Sequence, residues 1–247
     1  MSSVVAVLML ALVQMFDGVA SRDVRHAAAS APRTLHPGRG DSTDKPLIAA
    51  HRGASKYAPE NTMAAFRLAE TMGADYIELD VRMTREGRLI VLHDETVDRT
   101  TNGTGRADRL TFGEIRELDA GEWFSAAFRG ERVPSLEEVL DSFAGTIGLI
   151  LELKQPSAYP GIELTLAGML AERGLDRPDS GMIIQSFDIR SLRRMRELLP
   201  DVPVSVLVRP GQRITSQNLA SYRKFADAVS LPGSMARKPV IDRIRMH

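Results

Sequence analysis

The 247-residue sequence contains no cysteine. That absence excludes a disulfide scaffold, a cysteine-based zinc site and a thiol nucleophile. Net charge is absent as well, because 32 Lys and Arg offset 32 Asp and Glu. The balance excludes a broad basic face for nucleic acid and an acidic solvating tail. The apolar run Val4–Phe16 is too short for a stable membrane span, which needs about 20 residues. Histidine is scarce, with five residues in the whole chain. What is present, 43% hydrophobic and 26% charged residues, is the composition of a folded globular chain rather than a disordered one.

After the apolar run, Gly18-Val19-Ala20 resembles a signal-peptidase site, although no basic residue precedes it. Residues 1–20 therefore read as a signal peptide, which makes the protein secreted or periplasmic. The other reading is an N-terminal helix or a misassigned start, which leaves it cytoplasmic. Residues 21–45 are rich in Ala, Ser, Arg and Pro without periodicity and read as a linker.

From residue 46 to 247 short apolar runs alternate with helical patterns. Strands are expected at Leu47–His51, Tyr76–Val81, Leu89–His93, Ile147–Lys154, Met182–Phe187, Val204–Val208 and Ala226–Leu231. Amphipathic helices are expected over Asn61–Met72, from Ser135 with Glu138 completing a capping box, and over Ser191–Leu199 before Pro200. Such alternation implies an α/β fold with a parallel sheet covered on its faces. The segment 94–134 breaks the pattern. It carries turn chemistry at Thr101-Asn102-Gly103-Thr104-Gly105 and one short helix boxed by Thr111 and Glu114, and reads as a small insertion.

His26 and His36 fall in the linker and His247 is the last residue, which leaves His51 and His93. Each is expected at the C-terminal end of a strand, where the active sites of parallel barrels form. Imidazole is also the side chain that exchanges protons near neutrality. Period-2 geometry puts Glu78 and Asp80 on one strand face, and Glu152 and Lys154 on one face of another. Three carboxylates converging on a barrel mouth need compensating charge. An oxygen-only set suits Ca²⁺ or Mg²⁺ rather than Zn²⁺. The competing reading is an ion-pair network with Arg82, Arg52 or Lys154, and spacing alone does not choose between them. Arg52 and Lys154 suit phosphate oxygens, although Arg52 taken alone is better explained by a salt bridge to Glu78 or Glu60. Gly103-Thr104-Gly105 is followed by no Lys-Ser/Thr and is not a nucleotide-phosphate loop.

In order along the chain stand His51-Arg52-Gly53, Pro59-Glu60-Asn61-Thr62, Glu78-Leu79-Asp80-Val81 and His93-Asp94. Thr101 to Gly105, Val133 to Leu140, Glu152-Leu153-Lys154 and Gln185-Ser186-Phe187 follow. Together, over residues 46–187, they resemble the glycerophosphodiester phosphodiesterase family. The resemblance implies a TIM (β/α)8 barrel of the phospholipase-C-like phosphodiesterase type, with an insertion after the strand bearing the second histidine. It implies His51 and His93 as a general acid–base pair, and Glu78, Asp80 and Glu152 as ligands of one divalent cation, Ca²⁺ or Mg²⁺. Arg52 and Lys154 become phosphate contacts, and Glu60 and Asn61 become residues of the substrate pocket or residues that support those lining it. The implied reaction is metal-dependent hydrolysis of a small-molecule glycerophosphodiester to an alcohol and sn-glycerol 3-phosphate, with no nucleic-acid partner and the oligomeric state unassigned.

The C-terminal part departs from the family. Its closing strand with Trp-Thr and its Gly-Ile-Ile-Thr-Asp-like strand are both missing, and the sole tryptophan is Trp123. Residues 46–247 number 202, against roughly 250 for this barrel. The expectation is a barrel lacking its last one or two strands. It is read first as an active enzyme. The alternatives are an inactive or ligand-binding remnant and a related phosphodiesterase acting on lipids in the manner of a phospholipase D.

Overall fold

A computed structural model describes residues 46–246; the expected export signal and linker, residues 1–20 and 21–45, lie outside the described residues. The strands are β1 (Ala49–His51), β2 (Tyr76–Met83), β3 (Leu89–Val91), β4 (Gly148–Leu153), β5 (Met182–Ser186), β6 (Val204–Leu207) and β7 (Ala228–Ser230). Six of them run parallel in the order β1-β2-β4-β5-β6-β7. Helices α1 (Met63–Thr71), α2 (Phe112–Arg116), α3 (Leu136–Phe143), α4 (Ile162–Glu172), α5 (Ile189–Leu198), α6 (Ser216–Tyr222) and α7 (Lys238–Arg245) complete the strand–helix alternation.

Local chemistry sets the helix starts. Thr62 caps α1 by accepting from the Ala65 N–H, and the two expected capping boxes, Thr111–Glu114 and Ser135–Glu138, both form. Helix α1 is shorter than the sequence pattern suggests. Asn61 turns left-handed at φ 57°, and Met72 is the C-cap, 53% exposed rather than on the buried face.

One face of the sheet carries Ile77, Leu79, Val81, Leu149, Leu151, Leu153, Ile184, Val204 and Val206, all buried in one apolar core with Phe66, Leu140, Phe143, Leu166 and Leu192 from the helices. Each large side chain fully buried there contributes roughly 1.5–3 kcal/mol. A second, smaller core of Ile90, Leu92, Val97, Ala107, Ile115, Ala120 and Val133 gives the segment after β3 its own packing.

The opposite face is polar, and it curls inward. Gln185 on β5 donates to Glu78 on β2 at 3.1 Å, reaching past β4, and Ser230 on β7 donates to Gln185 at 3.4 Å, reaching past β6. Side chains two strands apart can meet only on a concave surface. Below them the Tyr76 ring occupies the space where a Cβ at position 148 would sit 2.4 Å from it, which is why Gly148 stands there. Among the described residues no pairing joins β7 to β1, so the barrel is open between them. This matches the expected shortfall of closing strands.

One strand differs from expectation. β3 runs antiparallel to β2, in register Val81↔Val91 and Met83↔Leu89, and is not a barrel stave. The residues Thr84 to Arg88 form a tight turn, closed by Thr84 N–H to the Arg88 carbonyl at 2.9 Å with Gly87 at φ 89°. β2 therefore overshoots the rim and β3 returns toward it. His93 comes back to the level of Asp80, whose carbonyl accepts from the Leu92 N–H at 2.9 Å.

Candidate active site

The C-terminal ends of β1, β2 and β4 build the centre of the mouth. Register places His51 beside Glu78, and Asp80 beside Glu152, which in turn lies beside Gln185. Carboxylate oxygens of Glu78, Asp80 and Glu152 lie within 4.8 Å of one another, all on buried residues. All three sequence-expected ligands therefore meet.

Arg52 and Asn61 reach this cluster through unusual backbone. Both are non-glycine residues at positive φ, 59° and 57°, a conformation that costs on the order of 1–3 kcal/mol and persists only where neighbours enforce it. The turn lets the Arg52 N–H donate to Glu78 at 3.0 Å, while its guanidinium lies 3.3 Å from Asp80 and 2.9 Å from Glu60. Asn61 applies its side-chain amide to Asp80, donating to Oδ2 at 2.8 Å and accepting from the Asp80 N–H at 3.4 Å. Glu60 lies between Arg52 and Arg99. Asn61 and Glu60 thus orient the charged groups that face the mouth. Lys154 Nζ is 2.8 Å from Glu152 and 3.5 Å from Asp80.

Both readings left open by the spacing are therefore partly realised. Arg52 and Lys154 pair with the carboxylates, whereas Arg82 turns elsewhere. Two cations face four carboxylates (Glu60, Glu78, Asp80 and Glu152), and Arg99 and Asp94 balance each other beside them. With every carboxyl ionised, the formal excess is two negative charges. Asp80 Oδ1 is buried with no hydrogen bond among the described residues and with Lys154 Nζ 3.5 Å away, while Glu152 Oε1 faces Lys154 Nζ at 2.8 Å. A buried carboxylate oxygen without a hydrogen bond is rare. Burial, reinforced by Asp80 and Glu152, pushes the Glu78 carboxyl well above its ordinary range. Burial and then Asp80 raise Glu152, while at Asp80 Lys154 and Arg52 outweigh the same burial and hold the acid below its usual value. A hard divalent cation with oxygen ligands fits this set in charge and in donor type.

The histidines are set differently. Burial, then Arg52, lowers His51 to about 4, so its imidazole is neutral at physiological pH. It is half-buried, with Nε2 4.0 Å from Glu78. Burial also lowers His93, but Asp80 and Asp94 oppose the shift. His93 Nδ1 is 2.6 Å from Asp94 Oδ1, and Arg99 holds that carboxylate with contacts of 2.7 and 3.1 Å. Arg99, then the bond to His93, keeps Asp94 far below the usual carboxylate pKa. An ionised Asp94 requires the hydrogen on Nδ1 of His93 and directs Nε2 outward.

Three members of this arrangement have no role in the sequence reading: Asp94, Arg99 and Gln185. Asp94 was findable, since it directly follows His93. Arg99 was not, because its contact with Glu60 joins residues 39 apart in the chain.

Comparison with known proteins places this mouth in context. Residues 51–246 match the glycerophosphoryl diester phosphodiesterase family. A glycerophosphodiester phosphodiesterase of Bacillus subtilis is 42% identical over 219 residues, 83% of this chain and 75% of the relative. A crystal structure of glycerophosphodiester phosphodiesterase from Agrobacterium tumefaciens is 34% identical with a TM-score of 0.67, covering 81% of this chain and 82% of that one. A phosphodiesterase from Oleispira antarctica, solved with the product sn-glycerol-3-phosphate, is 27% identical with a TM-score of 0.73, covering 81% of each chain.

Proposed function

The chain belongs to the glycerophosphoryl diester phosphodiesterase family, and we propose that it hydrolyses glycerophosphodiesters to an alcohol and sn-glycerol 3-phosphate. The observation that carries the reading is the buried carboxylate triad flanked by two unlike histidines. Glu78, Asp80 and Glu152 would hold one divalent cation, Ca²⁺ or Mg²⁺, which when bound supplies positive charge for the non-bridging phosphate oxygens. Arg52 and Lys154, already aimed at the same point, add fixed charge there.

The histidines divide the proton work. His51 is uncharged at neutral pH and can accept a proton from the attacking hydroxyl, either water or the 2-OH of the glycerol by way of a cyclic phosphate. The new bond joins that oxygen to phosphorus, and the bond that breaks links phosphorus to the departing alcohol; in the cyclic route water then adds to phosphorus and the bond to the 2-oxygen breaks, that oxygen taking up a proton, which leaves glycerol 3-phosphate. His93, with Nδ1–H anchored on ionised Asp94, can carry a second proton on Nε2 and give it to the leaving oxygen.

The test is release of glycerol 3-phosphate from glycerophosphocholine by purified protein with Ca²⁺ or Mg²⁺, abolished by a chelator. His51→Ala and His93→Ala should each abolish turnover and leave cation binding largely intact. Full activity in either variant would sink the acid–base assignment.

A further inference from the structure

Arg82 is a buried cation that the reaction described above does not use. It is 3% exposed and follows Asp80 by two residues on the same face of β2. Among the described residues, none of its hydrogen bonds goes to a carboxylate. Nε and Nη2 both donate to the carbonyl of His93, at 3.0 and 2.6 Å, and Nη1 donates to Gln155 Oε1 at 3.1 Å and Tyr159 Oη at 3.0 Å. Burying a guanidinium against neutral acceptors is expensive, so its geometry needs a reason.

The reason lies in what the fork grips. A carbonyl held by two charge-assisted bonds has its peptide plane fixed. That plane is the His93–Asp94 peptide, and the histidine's partner carboxylate belongs to the very next residue. The Nδ1 to Oδ1 contact of 2.6 Å is therefore held from the backbone side by this peptide's orientation and from the side-chain side by Arg99, and with it the direction of Nε2. The far end of Arg82 is anchored in the loop after Lys154, where Gln155 is left-handed at φ 44° and Tyr159 is buried.

We propose that Arg82 is a positioning residue that locks the His93–Asp94 pair to the strand end carrying Glu152 and Lys154. The inference rests on the proposed function only for its kinetic arm. Arg82→Lys keeps the charge but loses the fork. It should lower kcat on glycerophosphocholine by about 10- to 100-fold, the scale of an ångström-level misplacement, with KM and Ca²⁺ affinity changed less than about threefold. Independently of turnover, amide hydrogen exchange in the peptide spanning residues 92–99 should rise in the variant while β4 and β5 stay as in wild type. A wild-type kcat, or unchanged exchange over residues 92–99, overturns the proposal. Wild-type protein that fails to release glycerol 3-phosphate overturns the function instead, and the exchange measurement still decides the role of Arg82. Should Arg82→Lys fail to fold, Arg82→Gln, which can donate one bond without burying a charge, is judged by the same two readouts.

Discussion

Replacing Asp94 with asparagine keeps the side-chain shape and removes its charge. In the native site Asp94 uses both oxygens, Oδ1 on His93 Nδ1 and on Arg99, and Oδ2 on Arg99. Asparagine has one oxygen. Arg99 presents only donors and takes it, which turns the amide nitrogen toward His93 and disfavours the hydrogen on Nδ1. A hydrogen bond to a charged group contributes about 1.5–3 kcal/mol. The two side chains are 30% and 28% exposed, and that solvent contact places the loss in the lower part of the range. About 1.5–2 kcal/mol corresponds to about a 10- to 30-fold fall in kcat. The pH profile carries a second signature. Asp94 raises the His93 pKa, so its loss lowers that pKa and moves the high-pH limb of kcat, where the general acid deprotonates, to lower pH. The assay is coupled detection of glycerol 3-phosphate at saturating cation across a pH series. A kcat within twofold of wild type, with the high-pH limb unmoved, refutes the pairing as the source of His93 acidity.

Three further outcomes are expected. Glu152→Gln removes one of the three converging carboxylates; it should weaken Ca²⁺ binding by about 10- to 100-fold, and an unchanged Ca²⁺ affinity counts against Glu152 as a ligand. Because folding holds His51 at about 4 against its ordinary 6.5, the unfolded chain takes up a proton between those values that the folded chain does not; the resulting stability is complete above pH 6.5 and lost as pH falls toward 4. His51→Asn should remove this contribution, so that between pH 6.5 and 4 the melting temperature of the cation-free variant falls less, or rises more, than that of wild type, on top of the opposite slope from the raised Glu78 and Glu152 carboxyls that both proteins share; an identical pH dependence in the two proteins contradicts the shift. Gly53 sits at φ 76°, and an added Cβ would lie 2.8 Å from the backbone and Cβ of Ala65. Gly53→Ala should cost about 2–3 kcal/mol and lower the melting temperature by about 4–12 °C, and an unchanged melting temperature would show that the turn carrying Arg52 is not rigid.

Much of the site was legible in the linear chain because it is written in strand periodicity. Glu78 and Asp80 alternate with Ile77, Leu79 and Val81, so a parallel sheet sends the acids to one face and the aliphatics to the other, and the structure does so. Glu152 and Lys154 follow the same rule. The capping boxes at Thr111 and Ser135 were equally local and formed as expected. The direction of β3 was not local. A run such as Leu89–Val91 reads the same whether it pairs parallel or antiparallel, and only the five-residue turn Thr84 to Arg88 turned it back.

The sequence by itself put Glu78 with Asp80, and Glu152 with Lys154, on shared strand faces and excluded thiol chemistry, since each depends on which residues are present and at what spacing. Tertiary structure alone decided how the two histidines differ. His51 is desolvated beside Arg52, whereas His93 is tied to Asp94 and through it to Arg99, a partner of Glu60 from a distant turn. It also decided that Arg82 serves a peptide carbonyl rather than a carboxylate. Proton affinity and charge compensation follow from distance and burial, and those arise only when segments remote in the chain are folded against one another.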